Sequence, residues 1–488
     1  MTDIPRSRRA PAVGPALVGT LILAAFAGIL RASRPILATQ DNWWAWDVGR
    51  RILREGLFGV DPYTFTRGGE PWRLHQWLAN LTFGGAEALG GFWLLAVVVA
   101  VIAAAAYLQL GLLLQRRAPG FVGLVGLALA ATAAPAHISM RGTLFSLLLV
   151  PPLLWLILRP PSGRRIVGLL ILFVLWGNLH GGALIGAGLL LVHEIGHVII
   201  DGRSRVRPAV AVFGAAIVGM CVTPYGPLLL VDNLRLAAEA RDTRIVEWLP
   251  PRLLAPSALA FTVLLVLAIV AFALAGHRDR LPEGLLVAAA VILAMTAVRN
   301  VITMAMVIAV VSAPAMSDAW NGLRRSTADR PPGQVRAFDR VLAFVIGLIG
   351  LVGMLVVVPR SDDVRAHAAD TPIDLIEAQA AEGRGQRLFS MDSWAMAASI
   401  LGGPVVATFY DGRVELLGDL QPTYATIIRA SPDWDTRLDE HCVTDLLIPN
   451  DGPLYDAAIR AGAWKNVGTQ ELHGVTAAWL TRSLPANC

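Results

Sequence analysis

The sequence predicts an all-α polytopic membrane domain followed by a small α/β domain, and three observations support this. Hydrophobic residues make up 55% of the 488 residues and charged residues only 16%, whereas soluble domains carry about 25% charged residues. The mean hydropathy of +0.58 comes with repeated apolar runs that can cross ~30 Å of hydrocarbon. After residue 358, helical and strand-like patterns alternate instead. A soluble globular enzyme is excluded.

The apolar runs predict about eleven transmembrane helices. They lie near residues 13–30, 91–114, 120–136, 143–158, 166–177, 182–200, 208–223, 257–275, 284–298, 301–316 and 341–358. The first run follows several arginines, as the core of a signal peptide would. Because no small-residue cleavage site with a polar mature domain comes directly after it, we expect a retained helix.

The placement of arginine predicts the orientation of the chain. Of the 41 basic residues only Lys465 is a lysine, so the positive charge of the loops comes from arginine. Alternate short loops are rich in arginine, which marks them as cytoplasmic. The arginines in these loops are Arg6, Arg8, Arg9, Arg116, Arg117, Arg159, Arg164, Arg165, Arg203, Arg205, Arg207, Arg278, Arg280, Arg324, Arg325, Arg330, Arg336 and Arg340. The N-terminus is therefore expected in the cytoplasm and the C-terminal region outside. Because the arginines behind the net charge of +5 cluster in these short loops, they are explained by membrane orientation. No nucleic-acid partner is therefore expected.

The predicted organisation is a membrane domain over residues 1–358, with exterior loops at 31–90 and 224–256, and an exterior α/β domain over 359–488. Within the first loop, the spacing over 42–57 predicts an amphipathic helix lying in the membrane interface. The tail has helical patterns at 372–381 and 454–461, and strand-like runs at 387–391, 405–409, 444–448 and 475–480. Cys442 and Cys488 share the tail, where one disulfide and two thiols are both open alternatives.

Polar and aromatic motifs follow the apolar runs in a definite order. They are residues 41–49 (DNWWAWDVG), 61–66 (DPYTFT), 71–72 (PW), 75–78 (HQWL), 141–146 (RGTLFS), 176–182 (WGNLHGG), 223–226 (TPYG), 247–251 (EWLPP), 299–300 (RN) and 410–413 (YDGR). This order resembles bacterial membrane glycosyltransferases of the GT-C superfamily, in an uncharacterised branch whose first exterior loop opens with D-x-W-W. The resemblance spans nearly the whole chain. Ala45 and Gln76 depart from the family pattern of histidine and glutamate, so no metal ligand or second acid/base group is carried over there.

The resemblance implies a GT-C-like fold, a polyprenyl-phosphate sugar donor, and an inverting displacement with an early-loop aspartate as the base. That aspartate is Asp41, with Asp47 second; the structural alternative is that Asp41 caps the helix beginning at Asn42. The implied acceptor is a cell-envelope glycan, lipid or protein at the bacterial cytoplasmic (inner) membrane. No cofactor is specified, and a divalent cation is left open.

Further site residues follow from position and residue type. Arg141 and Arg299 flank very short exterior turns, where a guanidinium could hold the donor phosphate or extend to lipid headgroups. His180 could donate a hydrogen bond to phosphate or be satisfied by a turn carbonyl. The residues assigned to substrate or acceptor binding are Trp44, His75, Tyr225, Glu247 and Trp248. A membrane-interface tryptophan belt, with Trp43, Trp72 and Trp77, is the alternative for the aromatic residues.

Competing interpretations remain open. His193, Glu194 and His197 match the H-E-x-x-H pattern of zinc proteases, although no later span offers an aspartate as third ligand. A non-catalytic membrane scaffold that presents its tail to a cell-envelope assembly is the alternative from another class. In the tail, residues 411–413 predict a tight turn around Gly412. The acidic cluster of Asp433, Asp435, Asp439 and Glu440 predicts the solvated face of a short helix.

Overall fold

The computed structural model describes residues 15–133, 138–239, 246–275, 280–324, 337–418, 420–485 and 488. A helix lies over each predicted apolar run. The helices of this region are α1 (Pro15–Ala32), α2 (Gln40–Glu55), α3 (Trp77–Arg117), α4 (Phe121–Thr132), α5 (Gly142–Ile157), α6 (Gly163–Leu179), α7 (Ala183–Asp201), α8 (Val206–Cys221), α9 (Leu228–Glu239), α10 (Leu259–Ala275), α11 (Leu281–Thr296), α12 (Val301–Arg324) and α13 (Ala337–Val357). Outside the described residues lie Arg6, Arg8, Arg9, Arg278, Arg325, Arg330 and Arg336 and the run ends at 13–14 and 134–136.

Four described segments are long and apolar enough to cross a membrane: Trp77–Arg117, Ala183–Cys221, Pro256–Leu274 and Val298–Gly322. Shorter apolar helices accompany them, at Leu17–Ala32, Phe121–Thr132, Gly142–Ile157, Leu281–Thr296 and Leu348–Val357. These segments support an integral membrane protein. The count of eleven crossings and the division at residue 358 stay predictions.

The first exterior loop is more helical than predicted. Residues 77–90, expected in the loop, form the first part of α3, which bends at Gly90 and Gly91. Gly91 has φ +64°, a conformation that glycine adopts without strain. The sequence analysis did not predict a helix here, because the polar start of α3 lacks the continuous hydrophobicity of a span; the exterior position of residues 31–90 stays a prediction.

Helix α2 packs inside the protein instead of lying in the membrane interface. It contacts α3 and a helix of the tail, and a Cβ on Gly49 would lie 2.0 Å from the carbonyl oxygen of Asn80. Trp43 and Trp72 are only 1% and 2% exposed, and Trp44 is also buried. The belt interpretation is therefore wrong for these tryptophans, because their rings fill the protein core.

The tail combines short helices with one four-stranded sheet. Its elements are α14 (Ile373–Ala381), β1 (Leu388–Ser390), α15 (Asp392–Leu401), α16 (Val414–Leu417), α17 (Leu420–Ile428), α18 (Trp434–Glu440), β2 (Asp445–Pro449), α19 (Pro453–Ala461), β3 (Lys465–Leu472) and β4 (Val475–Thr481). The strand order is β1-β2-β4-β3. Strand β1 is parallel to β2, and the other pairs are antiparallel. Cys442 and Cys488 form a disulfide, which resolves the two alternatives left open by the sequence.

Three of the four predicted strands are confirmed, as β1, β2 and β4. The run at 405–409 is not a strand: a 3-10 turn covers Gly403–Val405, and Thr408 makes isolated bridges to Leu388 and Thr64. Strand β3 was missed because its sequence, KNVGTQEL, is mostly polar. As an edge strand it needs only one apolar face, so its local pattern is weak.

A buried ion cluster joins the first loop to the tail. The Nη2 atom of Arg413 lies 2.5 Å from Oδ1 of Asp61 and 2.6 Å from Oδ2 of Asp411, and the three side chains are at most 1% exposed. The guanidinium also covers the ring of Trp72, at 4.3 Å from its centroid. Gly412 has φ +83°, so the predicted turn is present, but its charged neighbours face the protein interior.

The ion cluster gives the first prediction. Arg413→Met should destabilise the tail by about 3–5 kcal/mol, because Asp61 and Asp411 would stay buried without a counter-charge. The loss of stability is measured by thermal unfolding of the purified protein, with limited proteolysis as the readout of tail unfolding. The control is Arg437→Met: Arg437 is 42% exposed and pairs with Asp433 and Glu440, so its loss should cost under ~1 kcal/mol. Equal effects of the two changes would contradict the role of the cluster.

Candidate functional site

A cavity of 360 Å³ brings the later motifs together at one end of the helices. The N-terminal end of α5, the turn between α6 and α7, the 3-10 turns Val246–Trp248 and Val298–Asn300, and α9 meet around it. The predicted site residues on its wall are His75, Arg141, His180, Glu247, Trp248 and Arg299. Its deeper wall is apolar, with Leu147, Val150, Leu189 and Met304 among the lining residues.

Asn42 fixes the start of α2 beside this cavity. Helix α2 begins at Gln40 with Thr39 as its N-cap residue, and Oδ1 of Asn42 accepts the N–H of Thr39 at 3.1 Å. The Nδ2 of Asn42 donates to the carbonyl of Met140 at 2.9 Å. Asp41 is therefore not the cap, and its carboxylate is held next to Arg141.

Four charged side chains of alternating sign run along the cavity. Oδ2 of Asp41 lies 3.0 Å from Nε of Arg141, whose Nη1 lies 2.8 Å from Oε2 of Glu247. Oε1 of Glu247 in turn lies 3.6 Å from Nη1 of Arg299. These side chains are 22–26% exposed, so solvent or a ligand can reach them. Asp41 itself is not among the described lining residues; it adjoins the cavity through Arg141.

Aromatic rings accompany this row of charges. The guanidinium of Arg299 lies 4.3 Å from the centroid of the Trp248 ring. Nε1 of Trp44 donates a long bond of 3.4 Å to Oδ1 of Asp41, so Trp44 lies behind the wall and orients that carboxylate. An indole over a guanidinium stabilises the cation.

His180 is held in one tautomer. Its Nδ1 accepts the N–H of Gly182 at 3.1 Å and lies 2.7 Å from Oγ of Ser146. Oγ of Ser146 accepts from Nε1 of Trp176 at 2.8 Å, so the serine hydroxyl donates to Nδ1 and the ring proton stays on Nε2. Burial, aided by the charges of Arg299 and His75, lowers the pKa of His180 well below its usual value. The residue is a neutral hydrogen-bond donor on the cavity wall.

The loop at 71–76 carries one residue assigned to acceptor binding, His75, and contacts a second, Tyr225. His75 lies on the wall, with Nδ1 3.5 Å from Oε1 of Glu415. Tyr225 is behind it, where its hydroxyl accepts the N–H of Leu74 at 3.4 Å. Oε1 of Gln76 accepts the N–H of Gly142 at 3.1 Å. Gln76, the departure from the family pattern, thus holds α5 against this loop.

Asp47 lies apart from the cavity. Its Oδ2 accepts the hydroxyl of Tyr63 at 2.8 Å and Nε of Arg51 at 3.0 Å. Six residues of helix turn it away from the face that carries Asp41. These contacts favour Asp41 over Asp47 as the reactive carboxylate.

The tail contributes one carboxylate that the sequence analysis missed. Asp392 begins α15, and its backbone N–H donates to the hydroxyl of Tyr424 at 2.8 Å. Burial, and to a smaller extent the negative charge of Asp41, raises the pKa of Asp392. No local motif marks this residue, since only the docking of the tail brings it near Asp41.

The H-E-x-x-H residues lie further along α7, about 15 Å from its start at a rise of ~1.5 Å per residue. Glu194 is buried in an ion pair with Arg165, and Arg205 lies 3.5 Å from its other oxygen. Within the described ranges, no three His, Cys, Asp or Glu side chains are grouped closely enough to hold a metal ion. The glutamate that a zinc protease needs as a base is here the counter-ion of two arginines.

Comparison with known proteins shows the fold. No family model matches the sequence, and no curated protein does. The archaeal oligosaccharyltransferase AglB from Archaeoglobus fulgidus, in complex with an inhibitory peptide and a dolichol-phosphate, is similar with a TM-score of 0.57 and 12% identity, over 89% of this chain and 69% of that chain. An A. fulgidus oligosaccharyltransferase tethered to an acceptor peptide is similar with a TM-score of 0.57 and 12% identity, over 88% of this chain and 68% of that chain. The apo form of this enzyme has a TM-score of 0.54 and 12% identity, over 88% of this chain and 69% of that chain. The chain therefore shares the fold of these oligosaccharyltransferases, as expected for a GT-C-like protein, whereas the GT-C branch stays a prediction.

The state of His180 gives the second prediction. The unfolded chain binds a proton on this histidine below pH ~6.5, while the folded protein keeps it neutral. The stability from this residue is thus complete above pH ~6.5 and is lost as pH falls, by up to ~1.4 kcal/mol per pH unit. Melting temperatures between pH 7 and 5 should fall less steeply for His180→Gln than for wild type. His473→Gln is the control, because its side chain is 99% exposed; parallel curves for all three proteins would refute this.

Proposed function

We propose that the chain is a membrane glycosyltransferase that takes a sugar from a polyprenyl-phosphate donor and transfers it to a cell-envelope acceptor. The observation that carries this proposal is the shape of the cavity: two arginines and a neutral imidazole at one end, and an apolar wall between α5, α7, α11 and α12 at the other. A lipid phosphate has the same division into anionic head and apolar chain. The similar archaeal structure in complex with a dolichol-phosphate supports a ligand of this class.

The donor phosphate would lie against Arg141, Arg299 and His180. Each guanidinium has five N–H donors, so pairing with Glu247 leaves others for phosphate oxygens. The Nε2–H of His180 adds a donor that carries no charge of its own. These groups stabilise the negative charge that develops on the phosphate as the bond to the sugar breaks.

Asp41 would act as the base. Its Oδ2 pairs with Arg141, whereas its Oδ1 accepts only the long hydrogen bond from Trp44. Oδ1 can therefore take the proton of an acceptor hydroxyl. The acceptor oxygen then attacks the anomeric carbon opposite the phosphate, and the polyprenyl phosphate leaves with the bonding electron pair. The product has inverted configuration. Glu247, shared by two guanidinium groups, serves as their counter-ion, and the Trp248 ring supplies a flat face for a sugar.

In the proposed orientation, the site and the tail face the exterior of a bacterial inner membrane and the N-terminus faces the cytoplasm. The described arginines at 116, 117, 159, 164, 203, 205 and 207 lie at the helix ends opposite the cavity, which agrees with an excess of arginine in cytoplasmic loops. The disulfide in the tail suits an oxidising exterior compartment.

The third prediction tests the base. Asp41→Asn should lower turnover by ~10²-fold or more, because the amide cannot accept the proton, with little change in thermal stability. Turnover is measured with purified protein and a panel of radiolabelled polyprenyl-phosphate sugars. Asp47→Asn is the matched comparison and should lower stability but keep turnover per folded molecule.

Glu247→Gln completes this series. If its turnover were lost while Asp41→Asn stayed active, the base would be Glu247. Donor binding without turnover by the wild-type protein over the whole panel would favour the non-catalytic scaffold.

The fourth prediction concerns the phosphate. Arg141→Gln or Arg299→Gln should weaken binding of polyprenyl phosphate by ~1.5–3 kcal/mol, because each removes a charge-assisted contact. A titration in nanodiscs measures the change. The control replaces His193 and His197 together with alanine and should leave binding near wild type. Loss of function in this control together with chelator sensitivity, and no effect of the arginine changes, would place the site at the other end of α7.

A further inference from the structure

A second groove lies between α1 and α4, outside the charged cavity. Its volume is 140 Å³. The apolar residues along it are Leu23, Phe26, Ala27, Leu30, Ala128, Ala131 and Ile138, and Arg31, Arg34 and Thr132 lie at one end. Phe26 is 61% exposed on the outer surface of the helices, so the groove opens toward the hydrocarbon of a surrounding membrane.

Arg31 is unusual among the described arginines of this region. It is only 4% exposed, its Nη1 donates to the carbonyl of Arg34 at 3.3 Å, and its Nε is buried without a hydrogen-bond partner. Among the described residues no carboxylate forms an ion pair with it. A buried cation without a counter-ion is costly, and Arg34 adds a second positive charge.

The contrast with the main cavity is informative. There, Arg141 and Arg299 each face a carboxylate of the protein. In the groove the buried Arg31 lies beside an apolar floor and faces no carboxylate of the described residues, so the counter-charge of Arg31 has to come from a ligand. A lipid phosphate supplies it, because its charge matches the arginines and its chain matches the floor.

We propose that this groove is a binding site for a lipid with an anionic phosphate headgroup, distinct from the donor site. The phosphate would be held by Arg31 and Arg34, and the hydrocarbon chain would lie along α1 and α4. Ile138 lines the groove while Ser139 and Arg141 line the main cavity. A lipid seated here would therefore rest against the segment that carries Arg141 into the site.

The test counts bound lipids by native mass spectrometry of the full-length protein. The probes are phosphatidylglycerol, polyprenyl phosphate, phosphatidylcholine and inorganic phosphate. We expect wild type to retain an anionic lipid that Arg31→Gln retains at least ~10-fold more weakly, in keeping with one charged contact. Arg141→Gln should leave this binding in place, which separates the groove from the donor site.

Two further variants keep the result interpretable. Ala131→Leu fills the groove without changing its charge and should also displace the lipid, even if Arg31→Gln folds poorly. Arg360→Gln, an exposed arginine just after α13, should behave as wild type. Preference for polyprenyl phosphate over phosphatidylglycerol, or the reverse, identifies the lipid class. Equal retention of phosphatidylcholine, binding of inorganic phosphate alone with the same affinity, or indifference to both groove variants would overturn the proposal.

Discussion

The buried ion cluster of Asp61, Arg413 and Asp411 is the constraint on which the site depends. Charges that are removed from water must satisfy one another, so this cluster permits one arrangement of the first loop against the tail. Neighbouring backbone contacts extend the docking, since Phe65 donates its N–H to Thr408 at 3.0 Å. The arrangement then holds Glu415 next to His75 and brings Asp392 toward Asp41. The tail, which lies outside the helical region, thus sets the position of the cavity wall that carries His75.

Two sets of ion pairs with similar chemistry differ in their exposure, and this difference separates a structural ion pair from a candidate functional site. The pair of Arg165 and Glu194 is 1% exposed, so its charges are used entirely within the protein. The row from Asp41 to Arg299 is neutral as a whole, yet its side chains remain partly open. Fixed charges that are only partly exposed act more strongly on a ligand than charges in bulk water do, and they need little rearrangement when it binds.

Local patterns were reliable where a single segment determines its own structure. Apolar runs become helices because an isolated span must satisfy its backbone internally, and helices were found at each of the predicted runs. Strands β1, β2 and β4 were identified because their buried faces are continuous. The start of α3, strand β3 and the burial of α2 were missed, since each depends on a neighbour: a bend at Gly91, a sheet edge, and a tail helix that covers the tryptophans.

The sequence by itself determined the membrane class, the positions of the helices, the α/β character of the tail and the main polar residues of the cavity wall, among them Arg141, His180 and Arg299. Only the tertiary structure decided which aspartate adjoins that wall, how Glu247 pairs with Arg141 from 106 positions away, and that Arg413 holds the tail in place. The physical reason is the range of the interactions. Hydrophobic periodicity acts over a few turns of one segment, whereas charge pairing acts through space between segments that the chain brings together only when it has folded.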